Sequence, residues 1–233
     1  MTHPRPSRFH EAPRTEDSKT LRASGVWTGH RQTRVQVRDF SLIADQPAAL
    51  GGRDAGPTPM ELLSGAVGAC AVVVVEQEAD RIGVEMTGLS VYSLARQDRR
   101  GMAGTADVQP YMHTYRLQLC VGTPVRDEAV LRKLAATVEH RCPAINLLRD
   151  AATGLTVDWV FAPAIDDDDA EAVVNAALGY RPAADLPPHL VDPVLHVADA
   201  DAPTSSSAAL AGADRRAPWA SGPSGWRSRT QRC

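Results

Sequence analysis

The chain has 233 residues, a formal net charge of −3 and 43% apolar residues. That mildly acidic balance leaves no electrostatic footprint for nucleic acid or an anionic membrane. Four cysteines spread over this length, with no C-x-x-C pair, fit neither a secreted disulfide framework nor a zinc knuckle, so no metal or cofactor is expected.

The first twenty residues, "MTHPRPSRFHEAPRTEDSKT", lack the apolar core of a secretory leader. The longest nearly apolar run, Leu62 to Val75, holds fourteen residues, short of the roughly 18 that span a bilayer. Both points predict a soluble, cytoplasmic protein. Composition divides the chain into three zones. Residues 1–23 are a polar tail expected to be disordered. Residues 24–162 carry nearly all the periodicity and form the expected domain. Residues 163–233 turn rich in Pro, Ala, Asp and Ser and are expected to be mostly disordered, with a short helix near 168–179.

In chain order, "TRVQVRD" alternates Val35 and Val37 with Arg34, Gln36 and Arg38, the pattern of a half-buried strand, and "FSLIAD" is its expected hairpin partner. "GGRDAGPTP" is a loop with strong turn signals. Thr58-Pro59-Met60-Glu61 then reads as a capping box with proline at the first helical position. The helix it opens should run to about Arg81 and stop at Gly83. Leu63, Ala66, Val67, Cys70 and Val74 recur at helical spacing, and the rest of the helix is also apolar or small, so burial on most sides is expected. "VEMTGLSVYSL" and "YMHTYRLQLCVG" read as strands. "PVRDEAVLRKLAATVEHR" is an amphipathic helix with Val130, Leu131, Leu134 and Val138 as its stripe. Cys142-Pro143 starts another short helix, and "LTVDWVF" is a last strand. The order shows no βαβ alternation and predicts an α+β domain.

The cysteines differ in promise. Cys233 ends the tail and Cys120 lies on the more polar face of its strand, so both are expected bystanders. Cys70 is either a small buried hydrophobe or, given Gly65, Gly68, Ala69 and Ala71 around it, the wall of a space for a small substrate. Cys142 stands at a helix N-cap, where free amides and the dipole would lower a thiol pKa from about 8.5. The plainer reading is a helix start with an ordinary side chain.

The stretches "GGRDAGPTPMELLSGAVGAC" and "VEHRCPAIN", with the weaker Arg100-Gly101 between them, resemble the OsmC/Ohr family of thiol-dependent hydroperoxide reductases over roughly residues 24–161. The resemblance implies an intertwined α+β homodimer, with an antiparallel sheet around a buried central helix. It implies that Cys70 attacks the peroxide, that Cys142 resolves the sulfenic acid as a disulfide, and that an external dithiol reduces the bridge. An arginine of the N-terminal strand region would hold the thiolate, and Arg31 matches it. If no bulge intervenes, Arg31 also shares its strand face with Val35 and Val37. Ohr-type members carry a glutamate directly after the helix-opening proline. Here that position is Met60, and Glu61 follows one residue later, about 100° around the helix. Glu61 is therefore at most a supporting residue. The expected function is reduction of organic, and possibly inorganic, hydroperoxides in oxidative stress defence. The alternative, favoured by Met60, is a non-catalytic domain of the same fold that binds a small apolar ligand or partner.

Overall fold

The computed structural model describes residue 11 and residues 13–151, 153–177 and 195–198. The remainder of the two expected tails lies outside the described residues. The described residues fall into two compact units, divided between Gly65 and Ala66.

The first unit is built on a three-stranded antiparallel sheet of β1 (Ser24–Gly29), β2 (Gln32–Val37) and β3 (Phe40–Ala44), in that order. β2 and β3 are the expected hairpin, with Val35 opposite Leu42 and Val37 opposite Phe40. β1 has no clear alternation in the sequence and emerges only as a partner of β2. The sheet has one apolar face, on which Trp27, Val37, Phe40 and Leu42 are all exposed.

Helix α1 (Pro59–Ile82) starts in the first unit and continues into the second. Its opening is local chemistry: the Thr58 amide donates to Glu61 Oε2 at 2.7 Å, and the Glu61 amide donates to Thr58 Oγ1 at 3.3 Å. This reciprocal pair satisfies two amides that a helix start otherwise leaves open. Gly83, with φ +73°, ends it.

The second unit carries a four-stranded sheet of β4 (Gly88–Gln97), β5 (Met112–Gly122), β6 (Gly154–Ala162) and β7 (Leu195–Ala198), in that order. β4 and β5 are antiparallel, as are β6 and β7. β5 and β6, however, run parallel, because the chain between them crosses over through α3 (Glu128–Arg141) and α4 (Pro143–Asp150). The expectation of a purely antiparallel sheet without a βαβ unit therefore needs correcting at this one pair. A short helix α2 (Arg99–Ala103) joins β4 to β5, and α5 (Asp167–Ala177) follows β6 and packs on β4.

Tyr115, Leu117, Leu119 and Val121 of β5 and Val157, Trp159 and Phe161 of β6 form one fully covered sheet face. Leu131, Leu134 and Val138 of α3 are equally buried. α1 approaches the sheet at Gly68, where an added Cβ would lie 3.3 Å from Ser93 Oγ and 3.4 Å from Val91. Only one stripe of α1 is covered: Val67, Gly68, Ala71, Val75, Glu78 and Ala79. Leu63 and Val73 remain exposed, so the expectation of burial on most sides does not hold for a single chain. α1 is long and apolar enough to cross a membrane by length and composition. Glu78 and Gly68, packed on its inner stripe, mark it instead as a helix of a folded domain.

Candidate active site

Cys70 lies near the middle of α1, and Cys142 lies at the break between α3 and α4. The fold brings their sulfurs to 3.8 Å, with the Cys142 thiol donating toward Cys70 Sγ across 72 residues of sequence. A disulfide needs about 2.05 Å, so bond formation requires less than about 2 Å of approach.

Cys142 is the N-cap of α4, with Pro143 in the first turn, as the sequence predicts. Its electrostatics do not follow the same prediction. Burial pushes the Cys142 thiol up to about 11, and the neighbouring Cys70 adds to the rise. The amides of Ile145 and Ala144 do aim at the sulfur and favour its thiolate, but they do not outweigh the loss of water. The expected lowering by a helix start is thus overturned: Cys142 is fully buried and holds its proton. In a Cys70→Ser/Cys233→Ser variant, thiolate absorbance at 240 nm should therefore stay flat from about pH 7 to 9. A step near the ordinary thiol value would contradict this.

The corner that carries Cys142 is fastened by side chains. Asn146, buried in the first turns of α4, donates through Nδ2 to the carbonyls of His140 (2.8 Å), Cys142 (2.9 Å) and Glu139 (3.3 Å). These carbonyls lie at the end of α3, where a helix has no following turn to supply donors; the Asn146 amide N–H (3.1 Å, to Cys142) and Arg149 Nη1 (3.2 Å, to Glu139) add to the same fastening. The Glu139 carboxylate, wholly inaccessible, pairs with Arg149 and accepts from Trp159 Nε1 at 2.9 Å, which ties α3 and α4 to β6. On the opposite side Arg141 Nη1 reaches Glu78 Oε1 of α1 at 2.5 Å. Arg81 holds the other oxygen of Glu78 at 2.7 Å. Burial alone would raise the Glu78 pKa, but the hydrogen bonds from Arg81 and Arg141 prevail and keep it below the usual carboxylate range.

Cys120 is buried in β5, and burial raises its pKa to about 12. A thiol held so far from ionisation is an inert hydrophobe, as expected of it. Cys233 lies outside the described residues.

Arg31 and Glu61 belong to the first unit. Arg31 is not a strand residue. It sits with His30 in the tight turn between β1 and β2, at φ +66° and +49°, beyond a register shift between Trp27 and Gly29. Strand alternation therefore cannot be extended to it. Its side chain lies along Gly51, where a Cβ would come within 3.3 Å of Nε. Glu61 is engaged in the cap of α1.

Sequence reasoning missed Asp45. This carboxylate is fully buried at the end of β3 and accepts from the amides of Gln46 (2.7 Å), Ala55 (3.1 Å) and Arg53 (3.2 Å). Gln32 Nε2, next to Arg31, adds a bond at 3.1 Å. Burial works to raise its pKa, but these four bonds lower it overall. Asp45 thus ties the Arg31 turn to the loop that holds Gly51. Its only signal in the sequence is an acidic residue placed at a strand end before a glycine-rich loop.

The site thus consists of two thiols in contact, one on the middle of α1 and one fully buried at the break between α3 and α4. Residues 51–158, which include both sulfurs, match the family model described as OsmC-like protein, which supports the OsmC/Ohr resemblance. Among solved structures, an OsmC-like protein from Mycoplasma pneumoniae is similar, at 17% identity and a TM-score of 0.52, over 61% of this chain and 96% of that one. An OsmC-like protein of unknown function from Vibrio cholerae matches at 13% identity and a TM-score of 0.50, over 62% and 99%. An organic hydroperoxide resistance protein, OsmC, from Legionella pneumophila is 20% identical with a TM-score of 0.47, over 61% and 96%. At these identities the likeness to the Mycoplasma and Vibrio proteins bears on fold alone. No curated protein matches the chain.

Proposed function

We propose that the protein is a two-cysteine peroxidase that reduces organic hydroperoxides, working as a homodimer in the cytoplasm, where dithiol reductants are supplied. The observation that carries this reading is the 3.8 Å separation of Cys70 and Cys142. The Cys70 thiolate attacks the distal peroxide oxygen, the O–O bond breaks, and the departing alkoxide takes a proton to leave as an alcohol. Cys70 is then a sulfenic acid, oxidised by two electrons. The Cys142 sulfur attacks Cys70 Sγ, the S–O bond breaks, and the Cys142 proton leaves with the hydroxyl as water. An external dithiol reduces the disulfide and closes the cycle.

Within this proposal Arg31 supplies the cation for the Cys70 thiolate, and its strained turn and seat on Gly51 support a held side chain. Glu61 contributes through the cap that opens the helix bearing Cys70. A second copy covers the exposed apolar surface, including Leu63 and Val73 of α1.

Mass spectrometry of the full chain after one equivalent of an alkyl hydroperoxide tests the reading, with native spectra reporting the dimer. The expected product has lost two hydrogens, and its digest contains a joined Cys70–Cys142 peptide pair. An unmodified protein would instead favour a binding module, the reading that Met60 supports.

A further inference from the structure

The corner bearing Cys142 is bolted twice. One bolt, Glu139 with Arg149 and Trp159, fixes the corner to itself and to β6. It does nothing to set the distance from Cys142 to α1. The other bolt does: Arg141, the residue before Cys142, meets Glu78 of α1 at 2.5 Å. Glu78 lies eight residues after Cys70 on the same helix, about 12 Å along its axis. Its side chain is 7% exposed, whereas that of Arg141 is 50% exposed. The fixed end of the pair is therefore on the helix, and the arginine is drawn down to it.

We propose that Glu78 is a positioning residue for the thiol–disulfide step: by gripping Arg141 it holds the Cys142 turn against α1, so that the two sulfurs sit within reach of bond formation. The proposal rests on the cysteine-pair reading above and adds to it the residue that sets the effective concentration of one thiol toward the other. Charge-assisted bonds suit this task, since they are directional and roughly twice as strong as neutral ones. The remaining approach of the sulfurs is small enough for the clamp to persist in the oxidised state. Arg81, bound to the other oxygen of Glu78 from the same helix at 2.7 Å, orients the carboxylate without reaching the corner.

The test uses the full chain equilibrated with mixtures of reduced and oxidised glutathione, with the Cys70–Cys142 disulfide quantified after acid quenching. In that equilibrium the dithiol gives two electrons and two protons to one glutathione disulfide, yielding the protein disulfide and two glutathione thiols. The equilibrium constant measures effective concentration and does not depend on peroxide chemistry. Glu78→Gln, which keeps the shape and loses the charge, is expected to lower the constant on the order of tenfold. Arg132→Ala, which removes an exposed ion pair with Glu128 on α3 and touches neither Glu78 nor Arg141, should leave it within about twofold. If Glu78→Gln fails to fold, as judged by circular dichroism, Arg141→Gln makes the same test from the solvent side and should show the same fall. Equal constants in wild type and the folded variant, with only the melting temperature lowered, would reduce Glu78 to a stabilising residue and overturn the clamp alone. Absence of any disulfide in the wild type at every glutathione ratio would overturn both the clamp and the cysteine-pair reading.

Discussion

Replacing Cys70 with serine is expected to bring dithiol-driven hydroperoxide consumption down to background, a loss of roughly a thousandfold or more, on the scale of removing an enzymatic nucleophile. Serine keeps the size of the side chain on α1 but offers an alcohol that does not ionise near neutral pH. Replacing Cys142 should give a different failure. One equivalent of peroxide is consumed, and the protein gains one oxygen at Cys70 and stalls, because no thiol lies 3.8 Å away to displace the hydroxyl. With more peroxide the mass should climb further as the sulfenic acid is oxidised irreversibly. Stopped-flow consumption and intact mass together separate the two roles. A Cys70→Ser protein with undiminished turnover would remove Cys70 from the chemistry.

The second large effect concerns stability. Arg149→Met is expected to cost about 3–5 kcal/mol in urea unfolding, because it removes the guanidinium from a carboxylate sealed in the core. Glu139 is 0% exposed and still receives the Trp159 indole N–H, but that donor carries no charge. Adding Glu139→Gln to Arg149→Met should recover part of the loss, since a neutral acceptor for Trp159 survives and the buried charge is gone. If Arg149→Met unfolds at the wild-type midpoint, the buried pair contributes nothing to the fold.

These two cases mark how far the sequence can be read. The cap of α1 was legible because Thr58 and Glu61 are three residues apart, and a capping box is decided by local chemistry. The hairpin of β2 and β3, the stripe of α3 and the helix start at Pro143 are local in the same way. The neighbourhood of Cys70 and Cys142 came only through family resemblance, since no local rule joins residues 72 apart. The Glu78–Arg141 pair spans 63 residues and left no pattern at all. Nor did Asp45, whose partners are mostly backbone amides supplied by the folded loop. Cys142 shows the opposite error. Its helix start follows from local sequence, but its ionisation does not: burial, a property of the whole unit, outweighs the helix amides. Arg31 failed its parity argument for a similar reason: a turn with left-handed backbone breaks the alternation before the residue is reached.

β7 gives the extension beyond residue 162 a physical role. Its backbone pairs with Asp158–Phe161 of β6, the strand at which the OsmC-like match ends. A fragment trimmed to the matched boundary would sever β6 midway. One trimmed just after residue 162 would bare a row of amides and carbonyls along a strand of valine, tryptophan and phenylalanine. Naked rims of that kind recruit other chains, so a shortened protein is headed for aggregation even with its sulfur chemistry intact.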